Sequence, residues 1–496
     1  VNVSTALRSG VRLPVDRAGS VLPFYLLATG ALVAARVPLL VGLGTVVFLL
    51  DAQGRIGAVA REFDRLDASE VDPENPDTIP PELVDATSGL LTPTVLSIVA
   101  VSLVAFVVLS LVARAVAAAA TLGSVYAALL GDDPLAGGVG GIARHWRAFV
   151  ALGILRAALF AAAVAPLAIG IAVAATLGPV EIAVALLSGL VSLLFLVAVY
   201  LALAFAGQAV VVDGAGALGA VRRSAGVPLR HPVAFLFYVV VASAALVATG
   251  ILAAALNLAG APQLLGVVST LAVLPALDGF KTSLYAETAL PRRGGPPVSA
   301  RFVAAFRRGA RRLGSFVRSH PAANLAGLAS LGLGMVGGWL LTSPYGVRIA
   351  PPGNVADVFG AVPVGTFVNL AANNWLVGAG AAYGGLALGV PTAASLLFNG
   401  VLIGALAGVF DPTAFLALVA PHGVIELPAI AVAGGLGFHL GRVGWEALRG
   451  RRDAANVGEE IGRAFEALLG LALVLVVAAF VEAFLTPRVA ALVLGG

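Results

Sequence analysis

The sequence predicts an all-α, polytopic membrane bundle of about eleven spans, with its N-terminus inside and its C-terminus outside. Three observations lead there. The chain of 496 residues is 59% hydrophobic and only 11% charged, with a mean hydropathy of +1.00, whereas soluble domains carry roughly 25% charged residues. Its apolar residues gather into runs near the ~20 residues that cross a hydrocarbon core as a helix. Its basic residues fall mostly on one side of the resulting alternation, as positive-inside topology requires.

The first span lies within Val21–Leu50. Arg36 and Pro38 interrupt it, so its first half is expected to lie along the interface and Val37–Leu50 to cross. Segment 51–88 follows as an acidic external loop with Pro73, Pro76, Pro80 and Pro81. It reads as a solvated hairpin or a short helix with an extended tail; a metal- or partner-binding ectodomain is the alternative. Further spans are expected at Pro93–Val112, Phe149–Leu177, Ile182–Ala206, Val233–Leu256 and Leu264–Leu284, which makes six in residues 1–290. A basic linker, 291–320, precedes five more in residues 321–496, at Ala322–Leu341, Val364–Tyr383, Pro391–Phe410, Pro421–Leu440 and Ala464–Leu485. With the N-terminus inside, internal segments hold 23 of the 30 basic residues, nine of them from Lys281 to Arg318. Arg36 and Arg156 fall within spans, Lys281 at the inner end of Leu264–Leu284 is counted with the internal segment that follows, and an odd number of spans preserves the alternation.

Composition also excludes chemistry. No cysteine is present, so disulfides, zinc thiolate sites and thiol catalysis are ruled out. The run from Val21 is too long for the apolar core of a cleavable leader. The +4 charge comes almost wholly from arginine in loops, so nucleic acid is not an expected partner. Two internal loops pair small residues with basic ones, at Gly137–Arg147 and Val212–Ser224. The second contains G-x-G-x-x-G at Gly214, Gly216 and Gly219. No βαβ unit surrounds it, which argues against a dinucleotide site. Around Asp213 to His231 this half resembles a broad group of six-span membrane domains that names no activity. In the linker, Phe302, Phe306, Leu313, Phe316 and Val317 recur at helical spacing among six arginines. That pattern predicts an amphipathic helix on the anionic cytoplasmic leaflet.

The informative polar residues lie near the C-terminal end. Pro421-His422-Gly423-Val424-Ile425-Glu426-Leu427-Pro428 places an imidazole and a carboxylate at i, i+4, on one helix face. An ionisable group at membrane depth costs about 2.5–3.5 kcal/mol on insertion scales. In the topology above, Glu426 and Glu482 reach similar depth in the outer leaflet. Two close carboxylates in low dielectric require a shared proton or a bridging cation. Asn373, Asn374 and Asn399 are expected near mid-membrane as interhelical hydrogen-bonders, while His422 beside Pro421 could simply cap a helix start. Asp357 and Asp411 are expected to be solvated. Gly400, Gly404 and Gly408 form a small-residue stripe, and Gly384 and Gly423 are further close-packing candidates.

From about Val317 to Pro487 the chain resembles the stage II sporulation protein M (SpoIIM) family. The resemblance rests on Asn369-Leu370-Ala371-Ala372-Asn373-Asn374, Gly384-Gly385, Asn399-Gly400 with Gly404, the Pro421-His422-Gly423 and Glu426-Leu427-Pro428 element, and Ala478 to Thr486 around Glu482. It implies a multi-pass protein of the cell membrane that forms a complex with cell-envelope partners, as the sporulation members do with peptidoglycan-degrading proteins.

Three functions compete. A non-enzymatic scaffold or assembly factor follows from the resemblance, the glycine-rich faces and the lack of a complete catalytic set. A proton- or cation-coupled transporter would use Glu426, Glu482 and His422, with the asparagines as further ligands. An intramembrane metal-dependent hydrolase would draw three ligands from His422, Glu426 and Glu482. The first is the expectation, with no catalytic residue, metal or cofactor assigned. The expected partners are the bilayer and a membrane or envelope protein, and the glycine stripes suit a homo-oligomer as well as internal packing.

Overall fold

The structure, a computed structural model, describes residues 2–65, 80–174, 181–292, 294–345 and 363–494. Pro73, Pro76 and Asp357 lie outside these. All regular elements of the described residues are helices, and the protein is an all-α polytopic bundle.

Helix α1 (Val3–Asp16) starts where the Asn2 side chain accepts from the Thr5 amide at 2.9 Å, a normal N-cap. Helices α2 (Ala18–Ala52), α3 (Arg55–Asp64), α4 (Pro81–Ser88), α5 (Pro93–Leu130) and α6 (Pro134–Ala174) follow. The expected interruption near Arg36 is absent: α2 runs 35 residues with Pro23 and Pro38 inside it. Its first half is no interfacial segment, because Val21 to Leu27 are buried in the core. The helix is held continuous through its prolines by packing against neighbouring helices, α5 foremost. In the described part of the acidic loop, the Arg55 guanidinium donates to the Gly89 carbonyl and joins α3 to α4.

The stretch Gly137–Arg147, expected as a loop, is helical and makes α6 41 residues long. Its glycines are the reason. A methyl group on Gly138 would strike the Phe24 ring, and one on Gly141 the Ala119 carbonyl. The glycines therefore let α6 approach α2 and α5 closely.

Helices α7 (Glu181–Ala202), α8 (Ala206–Asp213), α9 (Ala217–Ala225), α10 (Val227–Arg230) and α11 (Pro232–Leu258) come next. The G-x-G-x-x-G stretch is the corner between α8 and α9. Gly214 takes φ 65°, a left-handed conformation that glycine adopts freely. Asp213 closes this corner through Arg223 at 2.9 Å and accepts from the Tyr285 hydroxyl at 2.6 Å. Helix α12 (Gln263–Val268), a π turn (Ser269–Val273) and α13 (Leu274–Tyr285) form one rod.

The linker holds the expected amphipathic helix, α14 (Val298–Ser319). After it come α15 (Pro321–Thr342), α16 (Pro363–Gly384), α17 (Val390–Val409), α18 (Pro412–Leu448) and α19 (Ala454–Phe480). A second π turn (Val481–Leu485) leads into α20 (Thr486–Leu494). Part of α14 packs on protein: Phe316 is buried, and Gly309 meets Gly470 of α19 backbone to backbone. Arg312 pairs with Glu466 at 3.3 Å and Arg301 with Asp16 at 3.1 Å. Burial opposes the charge on Asp16, but hydrogen bonds from Arg301 and Arg12 outweigh it and hold the carboxyl below its ordinary range. Phe302 stays exposed on the outer side of α14.

Ten helical stretches of the described residues are long and apolar enough to cross a membrane. The expected span Val364–Tyr383 is present as α16 but is not among the ten. It packs against α2, α18 and α19, and a helix so enclosed need not be lipophilic. Two of its side chains end on carbonyls of α19. The Trp375 indole donates to Leu468 at 2.8 Å and the Tyr383 hydroxyl to Ile461 at 2.9 Å. Thr392 of α17 likewise donates to Ala381 at 2.7 Å.

The glycine stripe of α17 faces α15. A Cβ on Gly400 would collide with the Leu331 carbonyl, on Gly404 with Met335, and on Gly408 with Thr342. Gly334 and Gly338 of α15 reciprocate against Leu397 and Val401. Gly384 meets Gly30 of α2, with 3.3 Å from its Cβ position to the carbonyl oxygen. Gly423 is the exception: its nearest atoms belong to Val419 and Leu427 of its own helix, so it supports no interhelical approach. Gly404→Val is expected to lower the thermal unfolding midpoint in detergent, at a cost of about 1–3 kcal/mol. Gly332→Ala, whose Cβ would enter open space, is expected to leave it unchanged. Equal midpoints for the two variants would contradict this packing.

Candidate functional site

The site begins with the way α18 starts. Asp411 is its N-cap, and its carboxylate accepts from the Thr413 amide at 2.9 Å and the Ala414 amide at 3.1 Å. Asp411 is thus a helix cap, and His422 does not cap a helix start as one reading of the sequence allowed. His422 lies in the third turn, and α18 continues through Pro421 and Pro428 to Leu448. His422 and Glu426 share a face of this helix. Across from them, Glu482 sits in the π turn between α19 and α20. A π turn inserts one extra residue and re-aims the side chains after it, and such turns cluster at functional sites. Thr486 closes it by donating to the Val481 carbonyl at 3.2 Å.

His422, Glu426 and Glu482 converge. Each offers one nitrogen or oxygen atom, and these atoms lie within 4.8 Å of one another. His422 Nε2 is 3.9 Å from Glu482 Oε1. His422 Nδ1 is 3.4 Å from Thr486 Oγ1. The side chains of His422 and Glu482 are only 13% and 18% exposed. Glu482 Oε2 is fully buried and has no hydrogen-bond partner among the described residues. On the same turn, Phe480 and Phe484 pack with Phe367 of α16, at centroid distances of 6.3 and 6.1 Å. Glu426 is sixteen residues along α18 from Arg442, or about 24 Å at 1.5 Å per residue. The cluster therefore sits toward the end of the bundle remote from the basic residues between Arg442 and Arg463.

Among the described residues, no hydrogen bond joins the asparagines to this cluster. Asn373 Nδ2 donates to Asn374 Oδ1 at 3.0 Å. Asn399 donates to Ser395 of its own helix at 2.7 Å, so it is no interhelical bridge. Asn369 accepts from the Gln263 amide at 2.9 Å and caps the start of α12.

Two other buried polar groups escaped the sequence reading. Lys281, assigned to an internal loop, lies inside the α12–α13 rod, one turn after Asp278. The Tyr25 hydroxyl donates to Asp278 at 2.9 Å, and Lys281 Nζ faces the Tyr238 ring at 5.8 Å. The i, i+3 acid–base spacing in an apolar run was the available signal. At the opposite end of α18, His439 Nε2 lies 3.2 Å from Glu460, and its ring meets His320 edge-on at 4.5 Å. Burial and the neighbouring His439 hold the His320 imidazole below its usual range. These residues line a cavity of about 270 Å³ with Arg312 and Arg463, and no local motif announces it.

Residues 327–487 take in most of α15, all of α16 to α19, and the whole His–Glu–Glu cluster. They match a protein-family model. It is that of Stage II sporulation protein M. The SpoIIM match covers the part of the chain whose motifs carried the resemblance. An uncharacterized protein of Methanocaldococcus jannaschii is 30% identical over 112 residues, which is 22% of this chain and 63% of that protein. The chain thus spans less than two thirds of the curated relative it matches. No solved structure matches the chain.

If the two carboxylates meet as described, their replacements must be coupled. Glu426→Gln and Glu482→Gln, made singly and together, are expected to shift stability non-additively by about 0.5–3 kcal/mol. Strictly additive thermal midpoints would place the two groups out of contact.

Proposed function

We propose that this chain is a multi-pass scaffold or assembly factor of the cell membrane, with its basic helix ends toward the cytoplasm and the His–Glu–Glu cluster near the opposite face. The observation that carries this reading is the SpoIIM match over residues 327–487, a region where glycines of α15 and α17 pack against each other's backbone. Glycine-to-backbone contacts between α15 and α17, and side chains of α16 and α17 bonded to carbonyls, suit a rigid platform. The transporter alternative has less support. Among the described residues the hydrogen bonds from the cluster run only to Thr486 and on to the Val481 carbonyl. The asparagines that would extend a path bond elsewhere. Helix α14 offers partners and anionic lipid an exposed face carrying Phe302, Val303, Arg307 and Arg311.

In-cell crosslinking of tagged full-length protein tests this. Glu426→Gln is expected to weaken recovery of its crosslinked membrane partners while the chain remains at normal abundance, and reconstituted vesicles are expected to show no proton or cation flux. Vesicles with a flux that Glu426→Gln abolishes, together with undisturbed complexes, would replace the scaffold by a transporter.

A further inference from the structure

We propose that His422, Glu426 and Glu482 bind a divalent transition-metal ion, zinc in the first instance, and that this ion ties α18 to the π turn before α20. The inference goes beyond the scaffold reading, which stands whether or not a metal is held.

The argument starts from the hydrogen bonds around His422. The Thr486 hydroxyl spends its hydrogen on the Val481 carbonyl at 3.2 Å. Its oxygen can then only accept from His422 Nδ1–H, 3.4 Å away. A neutral His422 so held carries its lone pair on Nε2, and Nε2 faces Glu482 Oε1 at 3.9 Å. That distance is too long for a hydrogen bond. Two electron-rich atoms face each other, which is favourable only with a positive centre between them. An orienting partner on the remote ring nitrogen is the usual companion of a metal-binding histidine.

Charge and donor set then choose the ion. Two ionised carboxylates and one divalent cation sum to zero, the state a membrane interior tolerates best. A monovalent cation would leave one negative charge. One imidazole nitrogen and two carboxylate oxygens suit zinc, whereas calcium takes six to eight oxygen ligands and magnesium prefers an octahedral oxygen shell. Zinc–ligand bonds of about 2.0–2.2 Å put two donors roughly 3.4 Å apart at a tetrahedral angle. The donor atoms lie within 4.8 Å of one another, so loading closes donor–donor distances by up to about 1.4 Å, within reach of glutamate rotamers. The ion would sit on Glu482 Oε1, and because its sister oxygen Oε2 is fully buried with no hydrogen-bond partner among the described residues, a cation on this carboxylate offsets a charge that the protein leaves uncompensated. Three protein ligands leave a fourth position for water or a partner's side chain.

Full-length protein in detergent, stripped with a chelator, is titrated with Zn²⁺ and passed through gel filtration, and its metal content is measured. One zinc per chain is expected to remain with the protein and to raise its thermal unfolding midpoint. Co²⁺ in its place is expected to give the intense visible absorption of a four-coordinate ion. His422→Ala and Glu482→Gln are expected to lose both the retained zinc and the thermal shift, whereas His439→Ala keeps them. Wild-type protein that retains no zinc, or zinc that survives both His422→Ala and Glu482→Gln, overturns the proposal. The wild-type titration decides even where a variant fails to fold.

Discussion

Close approach of helix backbones at paired small residues is the constraint on which this bundle depends. Lipid tails are as apolar as leucine, so no hydrophobic force drives one span against another within the bilayer. Packing must come from van der Waals contact over short distances, and side chains would prevent it. Gly334 and Gly338 against the α17 stripe, Gly309 against Gly470, and Gly385 against Gly437 each bring backbone atoms together. Once these contacts are set, α18 and α19 have little freedom. The polar side chains between them are then placed by the scaffold rather than by their own affinities.

That placement explains why ionisable groups persist in so apolar a segment. His422 and Glu426 come from a helix held by its glycines, since Gly435 and Gly437 abut Asn324 and the backbone of Ala381. Glu482 comes from a turn whose extra residue rotates it toward them. Neither helix could relieve the burial cost by rolling its charged face into water without breaking backbone contacts elsewhere. A site of this kind is strained by its surroundings toward whatever neutralises it, whether proton, cation or donor from another protein.

Much of this was legible in the residues. Apolar runs located the helices, and the i, i+4 pair at His422 and Glu426 put two donors on one face. The similar depths reckoned for Glu426 and Glu482 anticipated that they meet. The small-residue stripe of α17 identified a packing face, though only coordinates could say that its partner is α15. The misses share a physical cause. Gly137 to Gly141 looked like a loop because glycine is a poor helix former in isolation, yet in a membrane the same glycines permit contact. Proline beside His422 looked like a helix start, but α18 begins at Pro412 and carries the proline within it. Arg36 looked like a break because local sequence cannot report that α2 is held on either side of it. Asp278 and Lys281 carried a local signal in their spacing, but their surroundings, like those of His439–Glu460, come from distant segments: Tyr238 for one, His320 for the other.

The seat of α2 has a consequence for how the protein is made. Gly30 of this first long helix nests against Tyr383 and Gly384, which the ribosome adds much later. Until then its notched face lacks the backbone that fills it. Maturation must therefore wait until α16 has been made and slides in beside α2. Such non-local closure is slow and exposed to misassembly. It also makes these two segments inseparable for quality control, since damage at either leaves the other without its mate.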